Sequence, residues 1–241
     1  MATFKIGFLY PEHMDLYGDD GNLIIIKKRL EWLGHSVLIT KIKLGQNYDL
    51  KEYDFLFMGT GTSYNQARVT KELEPQKDTL FALMEEGVPM LFMATAFQLL
   101  GQSYVIDRGK SVTGLGIFNF YVENGLHRLT GNTLISAILN GQEVSIVGFA
   151  NHMARIYSED ENLLPFGLVV KGQGNNNDKL EGIRYKNFIG SNLHGPLLAK
   201  NPILADYFID VMFKRKNINR DVILDDAIEL FAHQQARTRL I

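Results

Sequence analysis

The chain has 241 residues, of which 46% are hydrophobic and 22% charged, enough to bury a sizeable core. Lys and Arg (25) nearly balance Asp and Glu (27), which excludes the basic surplus of a nucleic-acid binder and an acidic tail. There is no cysteine, so disulfides, thiolate metal sites and a cysteine nucleophile are excluded as well.

Met1-Ala2-Thr3-Phe4-Lys5 runs straight into an apolar strand without a charged leader, and no apolar run approaches the roughly 20 residues that span a bilayer. A cytoplasmic location with no membrane span is expected. Phe4–Tyr10 reads as that first strand, Gly18-Asp19-Asp20-Gly21 as a loop, and Leu23, Ile26, Leu30 and Leu33 as one face of a helix. Ser36–Ile39 and Phe55–Met58 supply two more buried strands, the second ending in Gly59-Thr60-Gly61-Thr62. Residues from about Asn65 to Glu86 read as helix, and Val88–Met93 as a fourth strand that turns abruptly into a short helix at Phe97–Leu100. Alternating strands and helices predict an α/β, flavodoxin-like fold: a mostly parallel sheet with helices on both faces.

From about Val105 to Leu193 the pattern becomes short strands between Gly- and Asn-rich turns, including Gly172–Asp178. An antiparallel extension of the same sheet is expected there. Asn201-Pro202 has the form of a helix N-cap and first turn, and a last helix is expected from near Asp221 to Arg237 and Arg239. No repeat or linker divides the chain, so one domain over residues 1–241 is expected.

In doubly wound sheets ligands gather beyond the carboxyl ends of the strands, which directs attention to three segments. Gly59-Thr60-Gly61-Thr62-Ser63 could present backbone N–H groups, although Tyr64 breaks the spacing of the dinucleotide fingerprint, and a nucleotide-binding module is the weakest reading. Met93-Ala94-Thr95-Ala96 fits a sharp strand-to-helix elbow of the kind that presents a nucleophile or an oxyanion site. His194 follows the short apolar strand Ile189-Gly190-Ser191-Asn192-Leu193, where a structural histidine is the alternative to a catalytic one. No Asp, Glu and His set has metal-ligand spacing, so neither a metal nor a cofactor is expected.

Met93-Ala94-Thr95-Ala96-Phe97-Gln98-Leu99-Leu100-Gly101 resembles the Cys-Gly-Gly-Tyr-Gln-x-Leu-Gly elbow of the CobB/CobQ-like class I glutamine amidotransferases, and Leu193-His194-Gly195-Pro196 resembles their catalytic-histidine segment. Leu16–Asn22, Arg128–Asn132, Val147–His152 and Glu181–Asn187 follow in the order of the GatD subunits of lipid II isoglutaminyl synthase, so the resemblance is collinear over nearly the whole chain.

The resemblance implies a glutamine amidotransferase subunit in a heterodimer with a Mur-ligase-like synthetase, supplying ammonia to amidate the D-glutamate of lipid II. In that family a cysteine thiolate attacks the glutamine side-chain amide and a histidine moves the proton. Here Ala94 stands at the nucleophile position, and a methyl group cannot form the acyl intermediate. Thr95 and Ala96 also replace both family glycines, which favours natural divergence over a single engineered knock-out and is expected to distort the elbow. Thr60 adds a side chain to the neighbouring loop, with Gly61 left as its substrate-facing glycine.

His194 then keeps the catalytic-histidine position. Asp19 is a candidate to orient it, because Pro196 replaces the acid found two residues after histidine in many class I enzymes; loop capping is the alternative. Arg128 matches an arginine associated with the glutamine carboxylate, against a plain surface role. Gln98 is either a substrate contact or a structural cap, and His152 with Asn151 either lines the pocket or fills the core. A non-catalytic scaffold or a sensor of glutamine or a related amino acid is the alternative to the subunit reading.

Overall fold

The computed structural model describes residues 1–106, 109–176 and 178–240. Asn177, inside the predicted Gly172–Asp178 turn, lies outside the described residues.

The first half follows the predicted alternation: β1 (Thr3–Leu9), α1 (Gly21–Trp32), β2 (Ser36–Ile42), β3 (Phe55–Met58), α2 (Ser63–Leu73), α3 (Lys77–Glu85), β4 (Met90–Met93) and α4 (Thr95–Gln98). Strand burial alternates as a two-sided sheet requires. Phe55, Phe57, Leu91 and Met93 face a core shared with Leu23, Ile26 and Leu30 of α1. Leu56, Met58, Met90 and Phe92 face the other core, filled by Val69, Leu73, Leu80, Leu83 and Met84 of α2 and α3. The single helix expected over 65–86 is broken by a 3-10 turn at Glu74–Gln76, because Pro75 cannot donate the N–H that a continuous α-helix needs.

The middle of the chain forms β5 (Ser103–Val105), β6 (Ser111–Thr113), β7 (Phe120–Leu139), β8 (Gln142–Ser158), β9 (Gly167–Lys171), β10 (Leu180–Glu181), β11 (Ile183–Tyr185), β12 (Phe188–Ser191) and β13 (Leu193–His194). The extension departs from expectation in two ways. It is dominated by one long hairpin of 20 and 17 residues rather than by short strands. It also forms a second sheet, β10-β9-β7-β5-β6 with β8 joined to β7 and β13 to β8, instead of continuing the first. The first sheet has the order β11-β12-β4-β3-β1-β2, and only β11 runs antiparallel within it.

The chain ends in α5 (Leu197–Lys200), α6 (Pro202–Arg215) and α7 (Ala227–Thr238). Asn201 precedes α6 but makes no side-chain cap. Its buried amide instead accepts from the Val147 N–H (2.8 Å) and donates to the Val147 and Leu197 carbonyls (2.8 and 2.7 Å), tying the hairpin to the helix start. The last helix starts at Ala227, not near Asp221. Asp226, its N-cap residue, is held by a bidentate pair with Arg29 of α1 (both 2.7 Å), and Arg220 before it is tied to Asp206 and Asp210 of α6, contacts that fix this segment outside a helix. None of the described helices is long and apolar enough to cross a membrane.

Candidate active site

The strand order 2-1-3-4 places the switch point of the first sheet between β1 and β3. The loops after β1, β3 and β4 meet beyond it, and the turn between β4 and α4 is the sharpest of them. Ala94 there has φ 43° and ψ −111°, a conformation that costs a non-glycine residue about 1–3 kcal/mol. Its surroundings hold it in place. The Ala94 N–H donates to the Ser191 carbonyl at 2.7 Å, its own carbonyl accepts from the N–H groups of Phe97 and Gln98, and the Gln66 side-chain amide clamps the Thr95 carbonyl at 3.0 Å. The expected distortion is absent: Thr95 and Ala96 occupy ordinary helical positions, and the positive φ falls on Ala94 alone. The elbow is formed, and the side chain at its tip is a methyl group.

His194 lies on β13, which pairs with Phe149 and Ala150 of β8. Its Nδ1 sits 3.3 Å from Asp19 Oδ1, while Asp19 Oδ2 accepts from the Thr60 N–H at 2.7 Å. Burial pushes the Asp19 carboxyl up, but the hydrogen bond and charge of His194 together with the Thr60 N–H outweigh it and hold the group below its ordinary range. Gly21 makes the approach possible, since a Cβ there would lie 2.3 Å from Pro196 Cγ. An acid from the β1–α1 loop thus stands behind the histidine, with Nδ1–H directed to the carboxylate and Nε2 without a partner among the described residues. Tyr17 packs edge-on against the same imidazole, with ring centroids 5.1 Å apart.

Ala94, Thr95, Gln98, Gly61, His194 and Arg128 all line one cavity of about 420 Å³, and Asp19 backs it through His194. Arg128 reaches it from the irregular part of the hairpin, where the β7–β8 register shifts between Asn124 and Leu129. Its Nη1 donates to Asn151 O and Oδ1 at 3.2 and 3.1 Å. His152 and Asn151 line the cavity too. Among the described residues, no group of three or more His, Asp or Glu side chains could hold a metal ion.

Three contacts have no signature in the sequence. Gln66 clamps the elbow from α2, and Tyr17 covers His194. The third concerns the glycine loop: the Gly61 N–H donates to the Thr95 hydroxyl at 2.8 Å, and that hydroxyl donates back to the Gly61 carbonyl at 3.2 Å. The loop glycines serve packing more than ligand approach. A Cβ at Gly59 would meet Met14 O at 2.5 Å, and one at Gly61 would meet Met14 Sδ at 2.4 Å. With the Thr60 N–H committed to Asp19 and the Gly61 N–H to Thr95, neither donor is directed at the cavity.

The arrangement offers a histidine–carboxylate pair that can hold or move a proton, a guanidinium, and a strained elbow ending in a methyl group. The model of the CobB/CobQ-like glutamine amidotransferase domain matches residues 5–202. The chain is 38% identical over 219 residues to the GatD subunit of the glutamine-hydrolysing lipid II isoglutaminyl synthase of Staphylococcus aureus, covering 90% of this chain and 88% of that one. It is 35% identical over 216 residues to the corresponding subunit of Streptococcus pneumoniae, covering 88% and 81%. Among solved structures, PurLQS from Thermotoga maritima aligns with a TM-score of 0.57 at 14% identity, covering 88% of this chain and 98% of that one. A glutamine amidotransferase from the same organism aligns at 0.55 and 12% identity, covering 98% and 92%. At these identities the two structures speak to the fold alone. Together with the matched domain and the two curated relatives, the collinear elbow, histidine and arginine segments identify the chain as a member of the CobB/CobQ-like glutamine amidotransferase family.

Proposed function

We propose that this chain is a GatD-like subunit that holds glutamine or a related amino acid without hydrolysing it. Its partner is a Mur-ligase-like synthetase that amidates the D-glutamate of lipid II, and its place of action is the cytoplasm. The observation that carries the loss of turnover is Ala94 at the elbow. Amide hydrolysis by this fold needs an atom that attacks the side-chain carbonyl carbon and later leaves to water, and a methyl group has no lone pair to offer. Direct attack by water deprotonated at His194 Nε2 would place negative charge on the carbonyl oxygen. The Gly61 N–H that would stabilise it is bonded to Thr95.

Binding is a separate matter from turnover. The cavity, Arg128 and the His194–Asp19 pair all persist around the missing nucleophile, which supports an amino-acid ligand. The synthetase partner rests on the two curated relatives, whose names make them subunits of a larger synthase.

A scaffold or sensor outside amidation is the second reading, favoured by the same retained cavity without a nucleophile. The experiment is co-expression with the Mur-ligase-like proteins of the source organism, followed by amidation assays with glutamine and with ammonium. A stable complex that amidates with ammonium but not with glutamine is expected. Elution of the chain alone from every such co-expression would remove the subunit reading, and glutamine-driven amidation would remove the loss of hydrolysis.

A further inference from the structure

The His152 imidazole takes no part in the elbow chemistry, yet the residue lines the cavity and its buried Nε2 has no partner among the described residues. Buried polar atoms are nearly always paired, so an orphan beside a cavity points to a missing ligand contact. The tautomer follows from the geometry. Nδ1 lies 3.0 Å from the Ala154 carbonyl oxygen, which can only accept, so Nδ1 carries the proton. Burial, reinforced by the nearby Arg155, His194 and Arg128, pulls the His152 pKa down to about 4 against the opposing Ala154 hydrogen bond. The ring is therefore neutral at neutral pH, and Nε2 presents a lone pair.

Position adds a second constraint. His152 pairs with Leu129 on the β7–β8 ladder, and the adjacent Arg128 is tied to Asn151 through Nη1, its other guanidinium donors having no partner among the described residues. A cation and a neutral acceptor thus stand on neighbouring positions of one hairpin wall. The α-carbon of a zwitterionic amino acid carries the complementary pair: a carboxylate that accepts and an ammonium that donates.

We propose that His152 Nε2 accepts a hydrogen bond from the α-ammonium of an amino acid whose α-carboxylate is held by Arg128, so that the pocket selects ligands with a free α-amino group. The ligand side chain then extends toward Ala94 and His194. This inference rests on the amino-acid reading above and adds to it the group that distinguishes an α-amino acid from a plain carboxylic acid amide.

The test compares calorimetric titrations of the full chain with L-glutamine and with 4-carbamoylbutanoate, which is glutamine without its α-amino group. A hydrogen bond to a charged group predicts that glutamine binds about 10-fold or more tightly. His152→Ala should weaken glutamine alone and close the gap, His152→Gln should restore part of it by keeping an acceptor, and Arg128→Ala should weaken both ligands together. Equal affinity of the native chain for both ligands overturns the proposal. So does a His152→Ala variant that loses both in parallel. Failure of the native chain to bind either ligand overturns the amino-acid reading itself, and this inference with it.

Discussion

The Thr95 hydroxyl accepts the Gly61 N–H at 2.8 Å, across 34 residues of sequence, and so occupies a backbone donor beside the elbow. An oxyanion site in a strand–turn–helix elbow commonly uses the N–H after the nucleophile and one from a neighbouring loop. Restoring the thiol is therefore only half of what hydrolysis needs. Ala94→Cys alone is expected to give little glutamate release, Ala94→Cys/Thr95→Ala to give about 10²-fold more, and Ala94→Cys/Thr95→Ser to stay low because the hydroxyl remains. Initial rates of glutamate release at saturating glutamine check this, and equal rates for all three variants would refute the role given to Thr95.

The strain at Ala94 makes a prediction about stability. Glycine adopts positive φ without a Cβ penalty, so Ala94→Gly is expected to stabilise the fold by about 1 kcal/mol, raising the melting temperature by about 2–4 °C. Unchanged or lowered thermal stability would mean that the elbow carries no such strain.

Asp19 carries a depressed pKa at 1% exposure, so its pairing with His194 and the Thr60 N–H contributes stability above the unfolded carboxyl value of 3.8. That contribution is lost as pH falls through the folded value. Asp19→Asn is expected to cost about 3 kcal/mol at pH 7, as removal of one partner from a buried pair does. The gap to the native protein should shrink below pH 3.8, as measured by urea denaturation across pH.

Glu181 behaves in the opposite sense. It is fully buried, accepting from the Asn192 N–H at 2.8 Å and from the Ser191 hydroxyl, and burial pushes its pKa from 4.5 up to about 7 despite these bonds. A folded pKa above the unfolded one favours folding below pH 4.5 and loses that advantage as pH rises through about 7. The rise corresponds to about 3 kcal/mol at 1.36 kcal/mol per pH unit. Glu181→Gln should flatten stability between pH 4.5 and 7, and a native-like pH profile in that variant would exclude Glu181 as the source.

The parallel sheet was legible because its signals are local: apolar runs in β1, β3 and β4, helical spacing in α1, and small residues at the elbow. The long hairpin was not. Gly- and Asn-rich stretches suggest turns between short strands, whereas Gly125, Gly131, Asn132 and Gly148 sit within β7 and β8. Gly125 lies within 2.4 Å of the Arg155 guanidinium when given a Cβ, and Gly148 similarly faces Leu193, so both serve close packing. The start of α7 was obscured by a pairing between Arg29 and Asp226 across 197 residues, which no sequence window contains. The same holds for the site. His194, Arg128 and Ala94 follow from motif order, but the Thr95–Gly61 bond, the Gln66 clamp and the orphaned His152 Nε2 are products of tertiary placement.

Binding without hydrolysis is tested most directly on the unmodified chain, by calorimetric titration with L-glutamine alongside ammonia release from the same sample. Saturable binding and no ammonia above a protein-free control are expected. Ammonia release that disappears on His194→Ala would contradict it.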